Sequence, residues 1–148
     1  MNKKEGAAIL AATNWTVNGS ASEGKRMVRD FSKLMLRAFN SEVDDIVLTL
    51  KPYKLKNALD RLKKIADTIE KLGMTMSIRI APLYYLVRVQ ELELTADYLE
   101  KQAEQKELER LERERLKEER KVQQELERER ARLEKERQHY ANALEALR

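Results

Sequence analysis

The chain has 148 residues, 38% of them charged, a formal net charge of +4, no cysteine and a single histidine, His139. The lack of cysteine excludes a disulfide framework and thiolate metal sites, and one histidine excludes a multi-histidine metal centre, so no cofactor is expected. No run of 18 or more apolar residues offers a membrane span, and Met1–Glu5 does not lead into a signal-type apolar segment, so a cytosolic chain is expected.

The net charge hides an asymmetry. Residues 1–81 carry 15 Lys and Arg against 9 Asp and Glu; residues 82–148 carry 15 against 17. The basic excess therefore lies in the half that has apolar residues to bury. Ile9-Leu10-Ala11-Ala12, Trp15 and Val17 form a short apolar run, readable as a strand, an extended arm or a helical turn. Asn18-Gly19 reads as a turn, because both residues tolerate positive φ. Ser20 and Glu23 then form a capping box in which the hydroxyl accepts from the backbone three residues on and the carboxylate reaches back.

A helix is predicted from about 21 to 50, with Met27, Phe31, Leu34, Met35, Phe39, Val43 and Ile46 on its apolar stripe. Lys51-Pro52 ends it. Leu55, Leu59, Leu62, Ile65, Ile69 and Leu72 form a second stripe, with Gly73 as the C-terminal stop. Two amphipathic helices on a short link are expected to fold as a hairpin, stripe against stripe. Residues 74–81 alternate in the period of a strand and read as a short strand or an extended connector, a candidate partner for the arm at 9–17. Pro82 opens a stretch free of Gly and Pro to the end, roughly 100 Å long if wholly helical at about 1.5 Å per residue. Its first part, from Leu83 to Leu99, is apolar enough to complete the core of the hairpin.

Between Glu104 and Arg137 there are 12 acids and 12 bases, with frequent acid-to-base pairs three residues apart, such as Glu107–Arg110 and Glu112–Arg115. Such pairs support a solvated helix without a core. Leu126, Leu133, Tyr140 and Leu147 are spaced by seven, whereas Leu111, Val122, Leu133 and Leu144 are spaced by eleven. These repeats imply opposite supercoil hands. A lone charged helix and a weak oligomeric coil both fit residues 100–121; from 122 the seam improves and a coil is favoured. The fold class expected is mainly α: a helical head over residues 1–100 with a short extended arm, followed by a long charged rod over 101–148.

Three stretches, Trp15-Thr16-Val17-Asn18-Gly19-Ser20, Leu34-Met35-Leu36-Arg37-Ala38-Phe39-Asn40 with Glu42, and Glu91-Leu92-Glu93-Leu94-Thr95-Ala96-Asp97-Tyr98, precede the Glu/Arg-rich rod in that order. Together they resemble a domain of unknown function found in phage and bacterial proteins upstream of a GIY-YIG nuclease domain, the T5 phage orf-type or Mug113-like group. The resemblance runs from about residue 9 to 148 and is most specific at Leu34–Asn40. It implies a parent nuclease, in some relatives one that defends against phage, and in some an upstream membrane anchor. The chain itself holds no Gly-Ile-Tyr…Tyr-Ile-Gly pair, and Tyr84-Tyr85 does not match one. The catalytic Arg and Glu of that nuclease domain have no counterpart here, and a non-catalytic fragment is expected.

Two groups are candidate sites. Arg37, Asn40 and Glu42 are polar residues in a Leu/Met/Phe-rich stretch, fit to contact a phage or host protein or to fix helix packing. Lys54, Lys56, Arg61, Lys63 and Lys64 line the polar face of the second helix, fit to track the phosphates of DNA or to be a solvated face; no aromatic interleaves them to stack bases. Trp15 is expected to anchor the arm, and His139 to be surface. Asp44 and Asp45, about 100° apart on a helix, are not expected to converge on one ion. Three functions follow: a sensor or targeting module of a GIY-YIG-type nuclease whose rod spaces or oligomerises it, a DNA-binding module, or a coiled-coil scaffold.

Overall fold

The computed structural model describes residues 8–12 and 14–148; Met1–Ala7, and Thr13 of the expected arm, lie outside the described residues. The entry to the first helix is built by local chemistry. Asn18 (φ 51°) and Gly19 (φ 79°) both occupy the left-handed region. Two such residues make the tight turn that suits strand twist. Val17 and Ser20 thus exchange backbone hydrogen bonds of 3.0 and 2.8 Å. Ser20 Oγ accepts from the Glu23 amide at 3.3 Å and caps helix α1, Ala21–Thr49. The capping box works in one direction only: the Ser20 amide is already held by Val17 O, so the Glu23 carboxylate has no orphan donor to reach.

Helix α1 turns at Pro52, where the Lys54 amide donates to Lys51 O (3.2 Å) and Tyr53 takes a positive φ of 65°. Helix α2 then runs Leu55–Gly73. Their facing stripes meet in a core whose centre holds Phe39, Val43 and Leu62, each 0% exposed. The buried side of α1 is Val28, Ser32, Met35, Leu36, Phe39, Val43 and Ile46. Leu34 and Met27, expected in the stripe, point outward. They lie about 100° from Met35 and Val28 respectively, which take the inner positions. Leu72, at the end of the second stripe, is also exposed.

Gly73 is not a left-handed stop. Helix α2 passes through it into a single 3-10 turn, Met74–Met76, and the left-handed residue is Ser77 (φ 54°). Glycine is needed at 73 for space: a Cβ there would lie 2.5 Å from both Ile78 O and Met35 Cε. The alternating stretch is a strand only at Ile78–Ile80, β2, which pairs antiparallel with β1, Ile9–Ala11, in the register Ile9 to Ile80 and Ala11 to Ile78. Ile78 and Ile80 face the core while Arg79 faces outward. Trp15 Nε1 donates to Met76 O at 3.0 Å, tying the arm to the 3-10 turn.

Pro82 supplies the first residue of helix α3, Pro82–Ala146, a position that needs no amide donor. Leu92 and Ala96 are buried, and Tyr84, Tyr85 and Val89 pack on the core. Leu83, Leu86, Val87, Leu94 and Tyr98, expected to join that core, are exposed, because the hairpin covers only one side of α3. The fold is mainly α, with three helices and one two-stranded sheet among the described residues.

The chain divides into a unit of residues 1–102 and a unit of residues 103–148. In the second, every side chain beyond Ala103 is exposed. It is held by ion pairs along the helix surface. Arg110 bridges Glu107 and Glu114, and Arg115 bridges Glu112 and Glu119. Arg132 pairs with Glu129 at 2.5 Å. Hydrogen bonds from Arg110 and Arg115 hold the Glu107 and Glu112 carboxyls below the usual carboxylate range. The arginines thus use both the third and fourth neighbours, where the sequence pattern pointed to the third alone.

Candidate functional site

The two candidate groups are distributed differently from their sequence grouping. Asn40 is half-buried and faces α3, where its Oδ1 accepts from Tyr84 Oη. Arg37 and Glu42 are exposed, and five residues of helix set them about 140° apart. No hydrogen bond or ion pair among the described residues joins the three, so they form no single cluster.

A different polar group joins α1 to α3. Arg88, with its side chain 13% exposed, donates to Asp44 Oδ1 and pairs with Glu91 Oε2 at 3.0 Å. Its Nε is buried with no partner. One helical turn away, Tyr84 sits against Phe39 with ring centroids 6.0 Å apart. Asn40 and Asp44 on α1 therefore meet Tyr84 and Arg88 on α3, two matched i,i+4 rows. Asp45 turns the other way and binds Arg61 of α2 at 2.9 Å. The adjacent carboxylates hold different helices and do not share an ion. Arg88 escaped the sequence reading; its signal is a lone cation inside Leu83-Tyr84-Tyr85-Leu86-Val87-Arg88-Val89.

Most of Arg88 is stem packed between helices, so its length should matter more than its charge. Replacing it by methionine keeps the stem and removes the orphaned Nε. Arg88→Met is expected to stay within about 1 kcal/mol of the parent in urea unfolding. Arg88→Ala is expected to lose about 2 kcal/mol, through lost packing. Equal losses for the two would assign the effect to the ion pairs instead.

The basic residues of α2 are all exposed. Arg61 is engaged by Asp45, and Lys63 by Asp67 at 3.1 Å, which raises the Lys63 pKa through their hydrogen bond. Lys54 and Arg61 lie on one margin of the helix, Lys56 and Lys63 on the other, with Lys64 between; Asp60 and Asp67 interrupt the face. Lys51, Lys54 and Arg61 do come together, around a depression of about 180 Å³ at the turn end of the hairpin. A larger groove in this unit, about 430 Å³, runs between α2, β2 and the start of α3. Ala66, Ile80, Tyr85 and Leu86 give it an apolar floor, and Lys63, Asp67, Glu70 and Arg79 a rim of both signs. No group of three or more His, Asp or Glu among the described residues is placed to hold a metal ion. No helix of the described residues is long and apolar enough to cross a membrane.

The helical unit thus combines a groove of mixed character with a polar seam that joins α1 to α3. The family model of the SNIPE associated domain matches residues 1–103, and the chain belongs to that family. The family is associated with GIY-YIG nucleases. No curated protein and no solved structure matches the chain.

Proposed function

We propose that the chain is the recognition and assembly module of a GIY-YIG-type nuclease of the T5 phage orf-type group, working in the cytosol in defence against phage. The helical unit recognises a phage or host protein, and the charged helix spaces or oligomerises the nuclease. The observation that carries the reading is the family match over the whole helical unit. The α2–β2–α3 groove supports it, since an apolar floor inside a charged rim suits a protein segment better than a nucleic acid.

Immobilised full-length chain, offered nuclease-treated lysate from phage-infected cells, is expected to retain a protein that Leu86→Asp does not. Leu86 is half exposed on the groove floor, so this change leaves the core alone. Equal retention by both would remove the groove from the reading, and DNA cleavage by the purified chain would end it. The meeting of Lys51, Lys54 and Arg61 favours a second reading, DNA binding. That reading requires an electrophoretic shift that weakens steeply with salt and is lost when these three are neutralised.

A further inference from the structure

The helix beyond residue 103 carries nine leucine, valine and tyrosine side chains between Leu108 and Leu147, all of them exposed by 40% or more. At about 100° per residue, eight of the nine fall within an arc of about 60°; only Leu116 lies outside it. Surface ion pairs alone can hold a solvated helix, and they give apolar side chains no reason to align. An aligned stripe is the mark of a facing helix. The same arc also contains Glu104, Arg115 and Glu129. Charged groups in such a seam must each meet an opposite or hydrogen-bonding group, and this requirement selects the partner.

We infer that the stripe is covered by a second copy of this chain, running antiparallel, with the two-fold axis at Val122. About that axis Leu111 and Leu133 are equidistant, as are Arg115 and Glu129, and Glu104 and Tyr140. Leu111 therefore packs on Leu133 of the second copy, Arg115 meets its Glu129, and Glu104 meets its Tyr140, whose hydroxyl can donate to a carboxylate. Every charged residue of the seam finds a complement. Two flanking pairs agree: Glu112 comes opposite Arg130 of the second copy and Glu114 opposite its Arg132, each within a residue of the same axis, whereas Glu118 comes opposite its Glu125.

A parallel pair would do the reverse. It would place Arg115 on Arg115 and Glu129 on Glu129 in the seam. On its flanks, residues five apart would meet across the pair. Glu107 would face Glu112, Glu114 would face Glu119, and Arg132 would face Arg137. The exposed ion pairs of the single helix do not oppose the antiparallel arrangement, because such pairs are weakly held and can exchange partners. The inference rests on the oligomerisation half of the proposed function and leaves the recognition half untouched.

Because the chain has no cysteine, single cysteines report the arrangement cleanly. In the antiparallel pair the two copies of residue 111 stand about 33 Å apart, at about 1.5 Å per residue. That distance far exceeds the reach of a disulfide. Full-length Leu111→Cys should therefore stay uncrosslinked under mild oxidation, whereas an equal mixture of Leu111→Cys and Leu133→Cys chains should give a disulfide-linked pair. Unmodified chain should sediment as a dimer. Val122→Glu, which sets like charges on the axis, should raise the dissociation constant at least tenfold with helical circular dichroism unchanged. Disulfide formation by Leu111→Cys alone would establish a parallel pair, overturning this inference while oligomerisation stands. Sedimentation of the unmodified chain as a monomer would overturn both.

Discussion

Phe39→Ala is expected to destabilise the helical unit by about 3–5 kcal/mol, the largest effect of any single truncation here. Phe39 is 0% exposed and packs beside Val43 and Leu62, which are equally buried, with the Tyr84 ring against it. Removing the ring loses its transfer energy and leaves a cavity between α1 and α3. Those helices are also tied by the Asn40–Tyr84 hydrogen bond, which limits collapse into the space. The choice of measurement matters. Far-ultraviolet circular dichroism is dominated by the 65 residues of α3, most of them outside this unit. Trp15 is the one tryptophan of the chain, half-buried on the core and hydrogen-bonded to Met76 O, so its fluorescence follows this unit alone. Urea unfolding read by that fluorescence should show the loss. A change below about 1 kcal/mol would mean that Phe39 lies outside the cooperative core.

The hairpin was legible in the sequence because its signals are local. Ser20 ahead of an apolar-periodic run, Pro52 after it and Pro82 before the next state where helices start and stop, and the structure obeys them. Sidedness was less legible. Met27 and Val28, or Leu34 and Met35, are neighbours of similar hydropathy, and the hydrophobic effect has no direction of its own. Which of each pair turns inward depends on where α2 and α3 lie, a tertiary fact. The same holds for the exposed apolar residues of α3, since composition from Leu83 to Leu99 does not say that the hairpin covers one side only.

The polar seam was hidden for another reason. Arg88 and Asp44 are 44 residues apart, and no local rule links them. Sequence grouping placed Arg37, Asn40 and Glu42 together because they are close along the chain. On a helix the true companions of Asn40 are one turn away, at Asp44, and across the interface at Tyr84 and Arg88. Gly73 misled in a similar way. A glycine at a helix end usually signals a left-handed residue, but this one is required by the Ile78 carbonyl and the Met35 side chain packed against it.

Gly24 extends that lesson to a prediction whose sign opposes the usual rule. In an open helix, glycine to alanine stabilises by about 1 kcal/mol. Gly24 is buried in the first turns of α1 because the arm crosses directly over it: a Cβ would lie 1.9 Å from Trp15 O and 2.4 Å from Trp15 C. These are backbone atoms and cannot rotate away. To admit a methyl group the arm must lift from the helix by more than an ångström, which strains the Val17–Ser20 turn and the Trp15–Met76 hydrogen bond on either side. Gly24→Ala is therefore expected to cost about 1–3 kcal/mol, as overpacking does, and to override the gain in helix propensity. Trp15 fluorescence in the native state should shift toward that of exposed indole, and limited proteolysis should cut the arm faster than in the parent. Ser41→Ala, at an exposed helical position of the same unit, should show the ordinary small gain and serves as the control. Stability raised by Gly24→Ala, with Trp15 emission unchanged, would show that the arm does not lie on α1 at this point.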